Sequence, residues 1–285
     1  MPVWIDTHCH WDAAELRSVA AQRRALARAR GVAMAVVPAV SKATWRDARG
    51  WAHEHGDVYA LGIHPLCVAD ADPSDLEALA LELEAHQQDP QLVAIGEIGL
   101  DGWVNPPHSG EAWDKQWQFF VAQLQLAKRF QLPVVLHVRS AVDSVLKGLR
   151  QVGIDRGIAH AFNGSDDQAA AMARQGLKLG FGGACTFDAA RRLRHLATHL
   201  PPDQIVMETD GPDIPPQWLY VTKAARDAGV PQGVNASDEL PAIGQVVAAL
   251  RDVDTGLWAQ QTTANACLAL PRMKTWMDAC ASGTP

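Results

Sequence analysis

Short apolar runs, each followed by a longer segment with helical spacing, recur along this chain and constrain its fold more than any other feature. The runs are continuous rather than alternating with polar residues, which is typical of parallel strands covered on both faces. The eight runs that predict strands span residues 3–6, 33–38, 58–62, 92–95, 133–136, 157–159, 178–181 and 204–207. Eight strands that alternate with helices predict an α/β fold of the (β/α)8 barrel (TIM barrel) type, with a doubly wound open sheet as the alternative.

The segments between these runs carry Ala, Leu, Arg and Gln at amphipathic spacing, which predicts helices. They span residues 13–30, 41–55, 111–130, 141–151, 166–175 and 187–199. The tail, residues 241–277, is predicted to form two further helices that close the chain. Residues 212–235 form the longest irregular connection, with four prolines and two glycines. A connection of that length in a compact domain is usually functional.

Length and composition fit one globular unit. The chain has 285 residues, and α/β barrels of ~250 residues routinely form a single domain. Hydrophobic residues make up 48 % and charged residues 20 %, which excludes disorder as the dominant state. The sequence contains no linker-like or low-complexity stretch, so we expect one domain over residues 1–285.

The same sequence predicts a cytoplasmic protein without a membrane segment. No stretch reaches the ~18 consecutive apolar residues that a membrane helix needs, and the N-terminus lacks the basic region and apolar run of a signal peptide. Five widely spaced cysteines, an odd number, do not suggest a disulfide framework. The formal net charge of −7 argues against a protein that coats nucleic acid through its overall charge, but it leaves open a nucleic-acid enzyme with a locally positive site.

Histidines and carboxylates follow five of the predicted strands. His8 and His10 follow the first strand, where alternation along an extended segment directs both side chains to one face. With the later strand ends included, the candidate metal ligands are His8, His10, Glu97, His137, His160 and Asp210. The C-terminal ends of barrel strands meet at one mouth, where active sites are built. We therefore expect these six side chains to converge there.

The ligand set favours a pair of divalent ions, whose identity stays open among Zn, Mg, Mn, Ni and Fe. Four imidazoles and two carboxylates suit Zn²⁺, Fe, Ni²⁺ or Mn²⁺ better than Ca²⁺, which prefers oxygen ligands alone. Six ligands are more than one tetrahedral ion needs, and Glu97 can bridge two ions because a carboxylate has two oxygens. Two ions ~3.5–4 Å apart stabilise the attacking and leaving oxygens of an in-line displacement. The sequence therefore predicts hydrolysis of an ester, most naturally a phosphodiester.

The remaining histidines and the cysteines are not part of this prediction. His53 and His55 form another His-x-His pair, but they lie at a predicted helix end, where a solvated surface is the better interpretation. Helical or loop positions also predict surface locations for His86, His108, His195 and His199. The cysteines lack the paired spacing of a thiolate metal site.

Six motifs stand at the strand ends. They are IDTHCHWD (5–12), GIHP (62–65), GEIGLD (96–101), PVVLHVR (133–139), HAFNG (160–164) and ETDGP (208–212). Together and in this order, over nearly the whole chain, they resemble the TatD-type metal-dependent deoxyribonucleases, a branch of the amidohydrolase-like barrel superfamily. The resemblance implies a two-metal barrel hydrolase.

The resemblance also implies roles for the matching residues. One ion would be held by His8, His10, Asp210 and Glu97, and the second by Glu97, His137 and His160. Asp210 and Glu97 would be the catalytic pair, with Asp210 managing the proton of a metal-bound hydroxide. His64 and Arg139 would contact substrate phosphate, although a salt bridge is the alternative for Arg139. Glu208 and Asp101 would orient the ligand side chains without binding an ion themselves.

The implied activity is that of a deoxyribonuclease, of exonuclease type, on single-stranded or frayed DNA ends. The expected partners are DNA or a small phosphodiester, with no obligate protein partner. One alternative is an amidohydrolase for a small amide, lactone or phosphotriester, but many such enzymes bridge their metals with a carboxylated lysine at the position of Glu97. The other alternative is a metal-binding protein without a catalytic role.

The chain departs from the family pattern in two places. Many members carry an Arg-Gly-Lys-x-Asn-x-Pro segment after the eighth strand, whereas residues 231–235 read PQGVN and lack the basic pair. Lys223 and Arg226 lie upstream and are the candidate replacements, with solvated surface as the alternative. The aromatic residue that often follows the Gly-Leu-Asp motif is displaced to Trp103. These differences concern the substrate more than the metal chemistry.

Overall fold

The computed structural model describes residues 2–104 and 108–283, so the predicted unit of residues 1–285 extends slightly beyond the described ranges. Eight parallel strands pair in sequence order. They are β1 Trp4–Asp6, β2 Val32–Pro38, β3 Val58–Leu61, β4 Leu92–Asp101, β5 Val134–Arg139, β6 Gly157–Ala159, β7 Leu177–Phe181 and β8 Ile205–Met207. β1 also meets β8, because the Thr7 amide donates to the Met207 carbonyl at 3.1 Å. The sheet closes almost completely into a barrel, which confirms the predicted (β/α)8 fold.

Helices follow the strands and cover the barrel. They are α1 Ala20–Ala29, α2 Trp45–His55, α3 Ser74–His86, α4 Glu111–Phe130, α5 Val142–Val152, α6 Asp166–Arg174, α7 Arg191–His199, α8 Lys223–Asp227, α9 Leu240–Leu250, α10 Thr255–Ala269 and α11 Pro271–Ser282. Helix α5 illustrates the pattern, because Val142, Val145 and Leu149 are buried at three- and four-residue spacing. Gly153 ends it in a left-handed conformation, with φ at 81°.

The closing helices plug the N-terminal end of the barrel. Successive strand residues point to opposite faces, so on β5 Val135 packs in the inner layer and Val134 in the outer one. Met273 of α11 continues the inner layer. Arg272 donates to the carbonyl of Leu92, at the start of β4, at 3.2 Å. The opposite, C-terminal end is therefore the one left for a site.

Several predicted boundaries were wrong. The tail forms three helices rather than two, because the Asp254 side chain accepts from the amides of Gly256 and Leu257 and so begins α10. Helix α1 begins at Ala20 rather than at residue 13, since turns occupy residues 11–19. Helix α7 begins four residues later than predicted, after a short 3-10 turn.

The connection over residues 212–235 is not wholly irregular, because it contains the short helix α8. Thr222 begins this helix by accepting a hydrogen bond from the Ala225 amide. In the described part of the chain, no helix is both long enough and apolar enough to cross a membrane.

Candidate metal centre

The six predicted ligand side chains lie together at the C-terminal mouth of the barrel. Four of them follow strands directly or closely, namely His8 and His10 after β1, His160 after β6 and Asp210 after β8. Glu97 and His137 lie within β4 and β5. Together with His64, their donor atoms form three groups of three in which all members lie within 4.8 Å of one another.

Two strands run further than predicted, and this extension positions Glu97. β4 continues to Asp101 and β5 to Arg139, because the ladder still pairs Gly99 with His137 and Asp101 with Arg139. The register shifts just before this stretch, around Glu97 itself. Irregularities of this kind re-aim side chains and are common beside active sites.

A buried carboxylate outside the predicted ligand set joins the ligand segments of β1 and β8. Asp6 Oδ1 accepts from the amides of His8 at 3.2 Å and Thr209 at 3.0 Å, and Oδ2 accepts from the Thr209 hydroxyl at 2.6 Å. The Asp210 amide donates to the His8 carbonyl at 2.8 Å. Burial raises the pKa of Asp6 to about 6. In the sequence, Asp6 lies two residues before His8, and Thr209 lies directly before Asp210.

Glu97 lies at the centre of the cluster, and its two oxygens face different sets of imidazoles. Oε2 lies 3.1 Å from His8 Nε2 and 3.5 Å from His10 Nε2. Oε1 lies 2.8 Å from His160 Nε2 and 3.1 Å from both His137 Nδ1 and His64 Nε2. One buried carboxylate thus connects two groups of nitrogen donors.

Four donor atoms lie together on the Oε2 side, namely His8 Nε2, His10 Nε2, Glu97 Oε2 and Asp210 Oδ1. The two histidine nitrogens lie 3.1 Å apart, and each of them lies 3.1–3.7 Å from both carboxylate oxygens. A tetrahedral ion with bonds of ~2.0–2.1 Å needs donors about 3.3 Å apart. The spacing and the donor types therefore fit a divalent ion such as Zn²⁺.

Hydrogen-bond partners on the outer side of two rings fix which nitrogen presents a lone pair. The Pro38 carbonyl can only accept, so His10 Nδ1, 3.1 Å away, carries the proton and Nε2 faces the centre unprotonated. In a neutral His137 ring the arrangement is reversed. Its Nε2 donates to Asp101 Oδ2 at 3.1 Å, which leaves the Nδ1 lone pair directed towards Glu97.

The neutral His64 ring has its proton on the nitrogen that faces the cluster, in contrast to His10 and His137. The Leu66 amide can only donate, so His64 Nδ1 accepts it at 3.1 Å and the proton of the neutral ring lies on Nε2. That N–H donates to Glu97 Oε1 at 3.1 Å. His64 therefore presents a hydrogen-bond donor to the cluster, whereas His10 and His137 present lone pairs.

Burial and charge shift the pKa values in the cluster in different directions. Burial would raise the pKa of Glu97, but His64, His160 and His8 outweigh it and hold that pKa well below its usual range. Burial, reinforced by the charge of Glu97, raises the pKa of Asp210. Burial also lowers the pKa values of His8 and His160. A neutral His8 and a neutral His160 beside an ionised Glu97 are the protonation states in which such groups bind cations.

The two residues predicted to orient ligands differ in what they contact. Asp101 bonds His137 directly, and burial, which would lower the pKa of His137, is outweighed by the bonds to Asp101 and Glu97, so the pKa rises to about 9. Glu208 Oε1 lies 3.9 Å from His160 Nδ1, too far for a hydrogen bond, and instead accepts from the Ala161 amide at 2.5 Å. Burial raises the pKa of Glu208 to about 8.

Comparison with known proteins identifies the family of this chain. A family model described as TatD related DNase matches residues 5–271, a span that contains every predicted ligand. This chain belongs to the TatD-related DNase family.

Three relatives are similar to this TatD-family chain in sequence, and one of them also in structure. The metal-dependent hydrolase YjjV of Escherichia coli is 35 % identical over 217 residues, 74 % of this chain and 80 % of the relative. The crystal structure of YjjV, described as a TatD homologue, matches with a TM-score of 0.83 and 30 % identity, covering 94 % of this chain and 98 % of that one. The 3'-5' ssDNA/RNA exonuclease TatD of Erwinia tasmaniensis is 31 % identical over 245 residues, 84 % of this chain and 89 % of the relative. A metal-dependent hydrolase of Haemophilus influenzae is 39 % identical over 158 residues, 55 % of this chain and only 60 % of the relative.

In this TatD-family chain the ligand cluster opens into a cavity of about 1350 Å³. Among the described residues that line it, seven are carboxylates, namely Asp12, Glu15, Asp47, Glu97, Asp143, Asp210 and Asp213. Three are arginines, namely Arg17, Arg139 and Arg192. The lining therefore carries a formal excess of four negative charges, which equals in size the charge of two divalent ions.

Lys223 and Arg226, the candidate replacements for the absent basic pair, lie on α8 and contact neighbouring side chains. Lys223 pairs with Asp227 at 2.6 Å, and the Arg226 guanidinium lies 5.9 Å from the centre of the Tyr220 ring. Arg192 of α7 was not among the predicted site residues, but it reaches the cavity wall and donates to Asn163 Oδ1 at 3.0 and 2.6 Å. The available signal was the position of Asn163 inside the HAFNG motif.

Proposed function

We propose that this chain hydrolyses phosphodiester bonds with two divalent ions, and that its substrate is the single-stranded or frayed end of DNA. The observation that carries the proposal is the divided environment of Glu97, whose oxygens face separate sets of imidazole nitrogens at 2.8–3.5 Å. One carboxylate shared by two donor sets supports a pair of adjacent ions rather than one. The Erwinia relative, named as a single-strand exonuclease, supports nucleic acid as the substrate.

Each ion would have its own set of ligands. The first would be held by His8, His10, Asp210 and Glu97 Oε2, and the second by Glu97 Oε1, His137 and His160. The second set offers three protein donors, which leaves a coordination position for substrate or water, as in catalytic rather than structural sites. When bound, the pair of ions supplies charge stabilisation for phosphate oxygens and lowers the pKa of water. This favours a hydrolase over a metal-binding protein without a catalytic role.

The side chains around the centre have separate tasks in this proposal. Asp210 accepts the proton of the attacking water, because its Oδ1 belongs to the first donor set and its carboxylate lines the open cavity. The Nε2–H of His64, which donates to Glu97 Oε1 in this structure, would serve as a hydrogen-bond donor to a phosphate oxygen once Glu97 binds the ions, since Nδ1 is occupied by the Leu66 amide. Asp101 holds the His137 ring in the tautomer that presents its Nδ1 lone pair.

A small phosphodiester is the second candidate substrate, and the charge of the mouth favours it. Long single strands bind through many phosphate contacts with lysine and arginine, whereas carboxylates outnumber arginines on this cavity wall. The amidohydrolase alternative remains disfavoured, because Glu97 stands where many of those enzymes have a carboxylated lysine.

The proposal is tested by loading the protein with Zn²⁺, Mn²⁺ or Mg²⁺ and measuring hydrolysis of single-stranded DNA, bis(p-nitrophenyl) phosphate and a lactone. We expect cleavage of the two phosphodiesters, and a loss of about 10²–10⁴-fold in kcat for Asp210→Asn, the usual contribution of a general base. His199→Gln, an exposed histidine on α7, is the control and should match the wild type. Turnover of the lactone alone, or full activity of Asp210→Asn, would overturn the proposal.

A further inference from the structure

An exposed tryptophan lies at the rim of the metal centre. Trp103 follows β4, lines the cavity and keeps 66 % of its surface exposed. Exposure of so large an apolar side chain at the mouth of a polar site is informative, because tryptophan gains more than most residues from burial. The ring is therefore available to a molecule that enters the cavity.

Asp101 holds the backbone at Trp103, and Arg139 contacts the indole ring. The Trp103 and Val104 amides donate to Asp101 Oδ1 at 2.9 and 3.2 Å. The Arg139 guanidinium lies 5.1 Å from the ring centre, within the range of a cation–π contact. Arg139 is itself paired with β4, since its carbonyl accepts from the Gly102 amide at 2.7 Å. One face of the ring is thus covered by Arg139, and the exposure lies on the remainder of the ring.

The same carboxylate connects this ring to the metal centre. Asp101 Oδ1 holds the Trp103 backbone, while Oδ2 accepts from His137 Nε2 at 3.1 Å. Arg139 lies two residues beyond His137 on β5. Trp103 and Arg139 also line the same cavity as His137 and Glu97, so a group bound on the indole shares that cavity with the ligands proposed for the second ion.

We propose that Trp103 and Arg139 form a base-binding platform, on which an unpaired nucleobase next to the scissile phosphate stacks against the open face of the indole. This inference rests on the proposed phosphodiesterase function and names its substrate class more closely. A planar aromatic surface binds any of the bases by their faces, so it selects unpaired bases without selecting a sequence. Paired bases in a duplex are already stacked, which makes a single strand or a frayed end the preferred substrate.

The acidic lining explains why such a platform is needed. With few cationic groups at the mouth, contacts to further phosphates contribute little to affinity. Stacking of one base supplies affinity that does not depend on charge. We therefore expect recognition of bases to exceed recognition of the backbone in this chain.

The test compares two substrates with identical backbones, a short single-stranded oligodeoxynucleotide and its counterpart in which every base is replaced by an abasic tetrahydrofuran residue. We expect the wild type, loaded with metal, to prefer the base-bearing strand by about 5- to 150-fold in kcat/KM, the range that stacking on an aromatic side chain gives. In Trp103→Ala this preference should fall towards one, and Trp103→Phe should restore part of it.

Trp218→Ala is the matched control, because Trp218 is also an exposed indole but lies on the 212–235 connection, where its Nε1 donates to Glu239 at 2.7 Å. That variant should keep the wild-type preference. If the wild type cleaves both strands equally, or Trp103→Ala keeps the full preference, the platform is refuted while the phosphodiesterase function stands. If the wild type cleaves neither strand nor bis(p-nitrophenyl) phosphate, both proposals fail.

Discussion

Replacement of Asp101 by asparagine should weaken one of the two proposed ion sites and leave the other intact. The amide oxygen of asparagine can still accept from the Trp103 and Val104 amides, so the chain after β4 should keep its path. The amide nitrogen, however, would face His137 Nε2 and could only donate to it. The proton of the neutral imidazole would then move to Nδ1, and the lone pair directed at Glu97 would be lost.

The expected size follows from the contacts of each donor set. Loss of the carboxylate partner of a metal-binding histidine costs about 10- to 100-fold in affinity, or about 1.4–2.7 kcal/mol. The four donors of the other set, His8, His10, Asp210 and Glu97 Oε2, make no contact with Asp101 within the described hydrogen bonds and ion pairs. The variant should therefore bind one ion as the wild type does and the second one 10- to 100-fold more weakly.

Titration of chelator-treated protein with Zn²⁺ in competition with a chromophoric chelator would measure both affinities. Asp89→Asn is the matched control, since Asp89 accepts from His53 Nε2 and the Tyr59 hydroxyl, each at 2.7 Å, away from the mouth. It should leave both affinities unchanged. Two wild-type affinities in Asp101→Asn, or an equal loss at both sites, would refute the assignment of His137 to the second ion alone.

Two further predictions concern the barrel. Arg24→Ala should lower the free energy of unfolding by about 3–5 kcal/mol in urea titrations, because it leaves the buried Asp57, now bonded at 2.7 and 2.6 Å, without its partner charge. A loss below about 1 kcal/mol would contradict this reasoning. Gly99→Ala should lower both the melting temperature and the bound metal measured by elemental analysis, because Gly99 has φ at 149° and a Cβ there would lie 1.9 Å from the His137 carbonyl oxygen. Unchanged values for both would show that the β4–β5 contact is more adaptable than described.

The barrel could be predicted because its strands are buried on both faces. Continuous apolar runs predicted β6 at its observed bounds and β7 to within one residue. The prediction failed where a strand carries the site, since β4 continues through Gly96, Glu97 and Gly99 to Asp101. Glycines and carboxylates are typical of loops rather than strands. Here they stay in the sheet because they pair with β5, and the local sequence of β4 alone does not indicate that pairing.

The convergence of the candidate ligand residues could be predicted from the sequence. Which nitrogen of each histidine carries the proton could not. Barrel topology brings strand ends to one mouth, so His8 and His160 meet although they are far apart in the chain. The lone pair of His10 depends on the Pro38 carbonyl, which belongs to the neighbouring strand β2. Contacts between segments distant in sequence also determine that Arg192 reaches Asn163. The roles of these residues in binding and catalysis stay predictions until the variants are measured.

The net charge of −7 gains a local explanation in this structure. Seven of the acidic side chains line one cavity with three arginines, so more than half of the net negative charge gathers where the cations are proposed to bind. Counted formally, the lining of this mouth carries four negative charges without ions and none with two divalent ions. Metal loading would therefore control substrate entry as well as chemistry, because a phosphodiester would meet a neutralised mouth only after both ions are in place. Overall charge accordingly says little about whether this chain acts on nucleic acid, whereas the occupancy of the Glu97 cluster would decide it.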